Sequence, residues 1–449
     1  MAAFKICRYV FLAFLSATLP DLYITGAMAD DLENLFPADD WAAHGQVTFV
    51  DQFHPTFTSP YRGTNSLDPG ARGDETVAAT LFLGAHLWPG GEIWADPEMD
   101  QGFGLSDTLG VAAFPSGEGY KVGAAVPYFR LQRLFARQTF DLGGEDQKID
   151  GTANQFAGTR TADNLIVTIG KISAVDIFDT NDYAHDPSKD FLNWAVIDSG
   201  AYDYAADSWG YTYGAAAELS VDWWTLRTGI FDLSKVPNEK HLETGFRQFE
   251  LVAEGEERHT LFGRDGKLKL LAYLNRGWMG SYNDAVALAQ QTGTIPSTAL
   301  VRNYASRGGI ALNFQQQLTG ELGMFARLSY DDGSKEAYEF TEINHGLSTG
   351  LSLKGTSWNR ADDTVGAAYI VDDISQAAQR YFAAGGLGIL IGDGRLPHYG
   401  LENGLETYYS AQITDWFAAT ADYQLIVNPA YNSDRGPVNV FSLRLHTEF

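Results

Sequence analysis

The most constraining feature of this sequence is an alternation of apolar and polar residues that recurs along most of the chain. Alternate residues of a β-strand point to opposite faces, so the pattern predicts strands with one apolar and one polar face. In the last segment, one face carries Phe441, Leu443, Leu445, Thr447 and Phe449, and the other carries Ser442, Arg444, His446 and Glu448. The segments run over about 9 to 13 residues, as membrane-crossing strands do, whereas strands of soluble proteins average about 5 to 6.

Sixteen segments follow this pattern, and we expect an all-β fold in which they pair as one transmembrane antiparallel β-barrel. Inside lipid only helices and closed barrels satisfy every backbone hydrogen bond, and no segment beyond the N-terminus approaches the ~20 apolar residues of a spanning helix. Eighteen strands stay open, because boundaries taken from a pattern shift by a few residues. The predicted strands are 45–55, 76–88, 91–98, 120–140, 164–175, 209–219, 223–232, 247–260, 267–277, 307–317, 322–331, 343–353, 364–371, 404–413, 416–427 and 438–449.

The connections alternate in length over the C-terminal two-thirds of the chain. Short turns near 220–222, 318–321 and 414–415 alternate with long loops at 176–208, 278–306, 372–403 and 428–437. Short periplasmic turns and long extracellular loops are typical of outer-membrane barrels. Residues 375–384, which begin at a serine and end before two glycines, predict a short helix in an extracellular loop. The 141–163 connection is too long for this rule and has no explanation in the sequence.

The N-terminus predicts a secretory signal peptide over residues 1–29, followed by a single barrel domain over 30–449. Lys5 and Arg8 precede a short apolar stretch, and Ala27-Met28-Ala29 fits the small-x-small cleavage pattern. Cys7 is the only cysteine, so the mature chain has no disulfide or thiolate site. A formal net charge of -26 argues against a nucleic-acid partner, because phosphate is repelled.

Residues 176–208 are the third extracellular loop in this strand count, and in trimeric general porins, which this chain resembles in this respect, that loop narrows the pore. The loop carries acidic, amide and aromatic residues, which suit the hydroxyls and apolar faces of a sugar. A basic stretch over 128–138 predicts a positive wall opposite the loop. Arg133 and Arg137 share one face of a strand and Arg130 the other, so either a bulge switches faces or one set lies at a rim. Each of these interpretations has an alternative. The arginines could lie at a periplasmic rim. The aspartates of the loop could only close turns, while its aromatic residues pack the loop on the wall.

The candidate pore and sugar-binding residues form one set from this loop, the basic stretch and the segment before it. They are Arg130, Arg133, Arg137, Asp176, Asp179, Asn181, Asp182, Tyr183, Asn193, Trp194, Trp94 and Glu92.

Other chemistry has little support in the sequence, which predicts no enzyme and no cofactor. The histidines show no metal-ligand spacing, and no Gly-x-Ser-x-Gly motif occurs. Gly386-x-Gly388 followed by Gly392 lacks the strand and helix of a dinucleotide site. The Asp179–Asp186 run does not match a Ca²⁺-loop spacing.

Several motifs resemble those of the carbohydrate-selective, OprB-type porins of Gram-negative outer membranes. They are 61-YRGTNSL-67, 88-WPGGEIWADPE-98, 178-FDTNDY-183 with 191-FLNW-194, 384-AGGLGILIGDG-394, 406-ETYY-409 and 428-NPAYNSDRGP-437. The resemblance covers nearly the whole mature chain. It implies a sixteen-stranded barrel in the outer membrane, passive diffusion of mono- and disaccharides, and recognition of Phe449 by the barrel-assembly machinery.

Two other functions stay open at this point. The acidity of the chain favours a general or cation-tolerant porin without sugar preference, and an outer-membrane hydrolase is a remote third reading. The sequence leaves a monomer and a homotrimer equally open.

Overall fold

The computed structural model describes residues 40–340 and 342–449, so the predicted signal peptide lies outside the described residues. Sixteen antiparallel strands form a closed barrel, in which each strand pairs with its neighbours in sequence and β1 pairs with β16. The predicted fold and strand count are thereby confirmed. The first eight strands are β1 (Trp41–His54), β2 (Arg72–Trp88), β3 (Gly91–Gly102), β4 (Ala124–Ile149), β5 (Gly158–Ile172), β6 (Thr212–Val221), β7 (Trp224–Asp232) and β8 (Phe249–Leu261). The others are β9 (Arg264–Met279), β10 (Asn303–Gln317), β11 (Leu322–Asp331), β12 (His345–Gly355), β13 (Arg360–Asp373), β14 (Glu402–Thr414), β15 (Phe417–Val427) and β16 (Val438–Glu448).

The strands present apolar side chains outside and polar side chains inside. In β16, Phe441 and Leu443 are exposed on the outer surface, whereas Ser442 and Arg444 are buried in the lumen. The outer face of a barrel in lipid must be apolar, and a lumen that carries solutes must be polar. Closure depends on the chain end, because Phe449 and Gly45 exchange two backbone hydrogen bonds of 2.9 Å.

The two ends of the barrel differ in the length of their connections. One end, here called the short-turn end, carries both ends of the barrel sheet and tight turns such as 89–90, 222–223, 262–263 and 415–416. The other, the long-loop end, carries connections such as 103–123, 173–211, 280–302 and 374–401. This is the asymmetry expected from the sequence.

The structure explains the long connection at 141–163. Strands β4 and β5 continue their pairing beyond the rim, with Ile149 opposite Gly158, so only residues 150–157 join them. The prediction that the fourth strand ends near residue 140 and the fifth begins near 164 is therefore wrong, and so is the start near 120, since β4 begins at Ala124. Two breaks in register at Gly143 bend this hairpin, where Gly143 and Gly144 adopt φ values of 128° and 87°.

Connections from the long-loop end fold into the barrel. The longest, residues 173–211, is called the inner loop below. It is fixed to the wall by buried side chains of the strands: Arg327 donates to the carbonyl oxygens of Asp179, Ala184 and Val196 at 2.6 to 3.1 Å. Glu406 accepts from the backbone of Leu192 and Asn193. These contacts hold the inner loop across the lumen.

Four short helical segments lie in the loops of the described residues: α1 (Leu105–Thr108), α2 (Trp194–Ile197), α3 (Tyr282–Thr292) and α4 (Gln376–Ala383). Segment α1 is a left-handed turn, since Ser106, Asp107 and Thr108 have φ values of 55° to 59°. Helix α4, capped by Ser375, confirms the helix expected at 375–384. Helix α3 was not predicted, although Ser281 caps its start and Gly293, in the left-handed conformation, ends it. Single-turn 3₁₀ helices occur at Ala174–Asp176, Thr298–Leu300, Thr356–Trp358 and Pro429–Tyr431. In residues 40–340 and 342–449, no helix has the length and apolarity needed to cross a membrane.

Candidate functional site: the pore

Two cavities inside the barrel meet at its middle. The larger, about 800 Å³, faces the short-turn end, and the smaller, about 360 Å³, faces the long-loop end. They share five lining residues, here called the constriction cluster: Arg133, Ala153, Asn154, Asp176 and His185. A solute that crosses the barrel between these cavities must pass this cluster.

An ion pair spans the constriction cluster. The Arg133 guanidinium donates two hydrogen bonds to the Asp176 carboxylate, at 2.8 and 2.6 Å, in the bidentate geometry that arginine favours. Asp96 lies 3.7 Å from the same guanidinium. Burial raises the pKa of Asp176, but Arg133 more than offsets this, so the pKa lies below its ordinary value of 3.8. The pair is therefore ionised at neutral pH.

A β-bulge places the arginines of β4 in the lumen. Asp96 pairs with Arg133, but the next residue of β3, Pro97, pairs with Leu131, so Gln132 has no partner in the register. The extra residue reverses the alternation of faces. As a result Arg130 and Arg133 both point inward. The sequence left open a bulge or a position at the rim to explain why these arginines fall on opposite faces of a regular strand, and the structure contains the bulge.

His185 adds a third ionisable group to the cluster. Its Nδ1 lies 3.5 Å from the Asp198 carboxylate, and the ring is also near the Ile197 carbonyl. Burial lowers the pKa of His185, but Asp198 outweighs burial, and the pKa lies above its ordinary value of 6.5. Burial raises the pKa of Asp198, an effect that His185 opposes. Arg133 and His185 of the cluster thus lie next to the carboxyl groups of Asp176, Asp96 and Asp198.

Aromatic rings, called the aromatic surface below, pack together in the wall between the long-loop end and the constriction cluster, where Trp194 is 8% exposed, Phe114 5% and Tyr204 3%. Trp194 stacks on Phe114 with 4.8 Å between ring centroids and contacts Tyr204 and Phe340 at 5.9 and 5.0 Å. All four residues line the smaller cavity. Beside them, the Arg130 guanidinium lies 3.6 Å above the Trp209 ring and donates to Asp207 at 2.7 Å. The small apolar areas that these rings leave accessible lie next to charged groups, a combination that matches the two kinds of surface that a sugar presents.

Several residues that the sequence suggested for the pore are anchors of the fold instead. Asp179 accepts from Ser199 and Asn313, Asn181 donates to Asn313, and Asn193 caps α2 while it donates to Ala113 and Gln424. Trp94 has no exposed surface, since it lies between Gly84 and Phe156. These four residues therefore anchor the loop or pack in the wall, because their polar or aromatic groups contact other residues of the protein.

The other candidates lie towards the short-turn end. Arg137 donates to the Asn154 carbonyl at 2.7 Å and lies 3.6 Å from Glu92, and both side chains line the larger cavity. Asp182 is largely exposed and pairs with Lys267 at 2.9 Å. Tyr183 covers Gly323 of β11.

Sequence reasoning missed half of the aromatic surface. Phe114 comes from the loop 103–123 and Phe340 from the loop 332–344. Two residues of the constriction cluster, Ala153 and Asn154, were also missed, and they come from the β4–β5 connection. The sequence analysis assigned none of these three connections to the pore. Period-2 alternation is a property of strands, so it carries no information on which loop residues face the lumen. In the described part of the chain, no group of three or more His, Cys, Asp or Glu side chains is arranged to hold a metal ion.

The comparisons with known proteins agree with this architecture. The model of the family described as "Carbohydrate-selective porin, OprB family" matches residues 64–449. A search of the curated proteins found no match. The high-pH structure of Pseudomonas putida OprB is similar over 94% of this chain and 96% of that one, with 16% identity and a TM-score of 0.70. The low-pH structure of the same protein has 12% identity and a TM-score of 0.50, with 95% and 98% coverage. The DcaP channel of Acinetobacter baumannii has 9% identity and a TM-score of 0.50, with 91% and 97% coverage. At these identities the solved structures bear on the fold alone, and the family match bears on the function.

Proposed function

The chain belongs to the OprB family of carbohydrate-selective porins, and on that premise we propose a path for the sugar through its barrel. The protein is a channel of the outer membrane that passes small carbohydrates. On the proposed path a sugar enters at the extracellular, long-loop end, passes Trp194 and its aromatic neighbours, and then passes beside the Arg133–Asp176 ion pair into the larger cavity. The periplasm then receives it from the short-turn end.

The observation that carries this proposal is the continuity between the aromatic surface and the ion pair. The aromatic faces suit the C–H face of a hexose, and the guanidinium and carboxylate suit its hydroxyls by donating and accepting hydrogen bonds. Binding must stay weak, because a channel has to release what it attracts. A millimolar site corresponds to about -4 kcal/mol, which one stacked ring and a few hydrogen bonds supply.

Liposome swelling tests the sugar preference directly. We expect glucose to enter proteoliposomes faster than a size-matched polar non-sugar, and Trp194→Ala to reduce that difference. Trp416→Ala is the matched control, because Trp416 is 56% exposed on the outer surface near the rim. Equal rates for the two solutes in the wild-type protein would reject the preference and favour the general porin, which the net charge of -26 suggests as the second candidate.

The partners and the processing of the chain are part of the same proposal. Phe449 closes the barrel beside Gly45, and as a C-terminal aromatic it suits recognition by the barrel-assembly machinery. Deletion of Phe449 should lower the amount of heat-modifiable barrel in outer-membrane fractions.

Cleavage after Ala29 predicts a mature N-terminus at Asp30, which intact-mass measurement tests. Analytical ultracentrifugation in detergent separates a monomer from a homotrimer.

A further inference from the structure

The β4–β5 hairpin enters the barrel from the short-turn end. Beyond the rim its strands bend at Gly143 and Gly144, and the chain then turns back tightly between Thr152 and Gln155, whose backbones exchange two hydrogen bonds of 3.0 and 3.1 Å. Residues 152–156 are called the hairpin tip. Asn154 sits in this turn at a φ of 59°, a left-handed conformation that asparagine tolerates well.

Contacts with the wall fix the hairpin tip at the middle of the barrel. The Asn154 side chain donates to the buried Asp96 carboxylate at 2.8 Å, and Arg137 donates to the Asn154 backbone carbonyl at 2.7 Å. Phe156 packs on Trp94 and His86, with ring centroids 5.0 and 5.4 Å apart. Asp96 is the bulge partner of Arg133, so the tip reaches the height of the ion pair.

The hairpin tip also borders the open space of the pore. Ala153 is exposed and lines both cavities, as Asn154 does, whereas no other residues of a short turn line both. The side-chain oxygen Oδ1 of Asn154 and Oδ1 of Asp96 are buried and accept no hydrogen bond from the described residues. Neither oxygen is accessible to solvent, so Ala153 and the remaining part of Asn154 border the open space beside the tip.

We propose that the hairpin tip forms the periplasmic wall of the constriction and sets the largest carbohydrate that passes beside the Arg133–Asp176 ion pair. The inner loop narrows the pore from one side and the tip from the other. The proposal rests on the carbohydrate function above for its substrate, but its geometry is tested without any sugar.

Cysteine modification tests where the tip lies. In a Cys7→Ser background, Ala153→Cys is treated with a charged methanethiosulfonate reagent during a planar-bilayer recording. We expect single-channel conductance to fall by roughly half or more, because the adduct occupies the narrowest part of the pore. Lys148→Cys is the matched control: it lies on the same hairpin, its side chain is 81% exposed, and its modification should leave conductance unchanged.

Shortening the hairpin tests its role in size selection. Replacement of residues 144–161 by Asn-Gly, which favours a two-residue turn, removes the tip and keeps the barrel strands. We expect higher conductance and entry of a trisaccharide that the wild-type protein excludes.

If modification of Ala153→Cys has no effect, the tip does not lie in the pore and the inference is overturned. If it blocks the channel but shortening leaves the size limit unchanged, the tip does not set that limit, and this too overturns the inference. Equal permeation of glucose and a non-sugar would reject the sugar preference instead, and leave the block by the adduct in place.

Discussion

Arg133 makes its strongest contacts with a residue of the inner loop, not with its own strand. Replacing it with alanine removes a cation from the junction of the two cavities and leaves Asp176 and Asp96 without it. We expect Arg133→Ala to raise single-channel conductance roughly twofold and to shift the reversal potential towards cation preference. Arg133→Lys keeps the charge but loses the pair of hydrogen bonds that the guanidinium donates to Asp176. We therefore expect this variant to change the block of the channel current by sugar more than it changes the reversal potential.

The control for this substitution is Arg62→Ala, since Arg62 pairs with Asp68 at an exposed position, with 53% of its side chain accessible. It should leave both readings unchanged. An unaltered conductance and reversal potential in Arg133→Ala would show that ions do not pass the ion pair.

His185 should make the channel sensitive to pH. Its pKa lies above 6.5 because Asp198 outweighs burial, with further contributions from Asp179 and, in the opposite direction, Arg327. A raised pKa means that the protonated form of His185 is favoured in the folded protein. The stabilisation that this form contributes to the fold is complete below pH 6.5, and it is lost as the pH rises through the pKa of His185 in the folded protein. Cation preference should therefore increase as the pH is raised above 6.5.

His185→Gln should remove this transition while the barrel stays intact. The measurement is the reversal potential in a salt gradient between pH 6 and 9. A wild-type curve with the same shape as that of the variant would mean that His185 does not titrate in the pore. Asp176, which faces the same ring, has a lowered pKa and stays charged throughout this range.

At this scale the sequence predicted the chemical types of the pore residues better than their positions. Arg133 and Asp176, both named from the sequence, meet in the pore. Asp179 lies three residues from Asp176 and has the same side chain, yet it is bound by Ser199 and Asn313. The different roles of the two aspartates depend on strand residues that are distant in sequence, Arg133 of β4 for Asp176 and Asn313 of β10 for Asp179.

The inner loop is held by elements that are far away in sequence, and Arg327 of β11 is its main anchor. The side chain is 1% exposed and serves three carbonyl oxygens of the loop. Arg327→Ala leaves these buried acceptors without a donor, at a cost of ~1–3 kcal/mol for each unsatisfied group. We expect the free energy of unfolding to fall by about 3 kcal/mol, and the open-channel current to become noisier as the loop moves.

Urea unfolding in detergent, followed by tryptophan fluorescence, gives the first quantity, and bilayer recording gives the second. Arg247→Ala is the matched control, because Arg247 has 84% of its side chain exposed and pairs only with Glu243. Quiet currents and wild-type stability in Arg327→Ala would mean that other contacts suffice to hold the loop.

Elements differ in how well the sequence predicts them. Strands with one lipid face and one wet face repeat a simple pattern, and all sixteen were found from it. Helix α3 carried its start and stop signals, Ser281 and Gly293, but it lies within the predicted long loop 278–306, where the strand pattern carries no information. The β4–β5 hairpin was missed because its extension departs from the alternation at Gly143 and Gly144, where the register breaks.

The whole molecule depends on a contrast between its two surfaces, and the outer one can be tested at the centre of β16. Leu443 lies midway along this strand, is 43% exposed, and shares its face with Phe441 and Leu445. An arginine on the lipid face near the bilayer midplane costs about 2–4 kcal/mol. We expect Leu443→Arg to lower the free energy of unfolding from lipid bilayers by this amount. Leu443→Asn, which is polar but uncharged, should cost less, and Arg444, one residue along, is already tolerated because it faces the lumen and donates to the inner loop. Wild-type stability of Leu443→Arg in bilayers would place this face in water, and a barrel that is wet on both sides could not lie in the outer membrane.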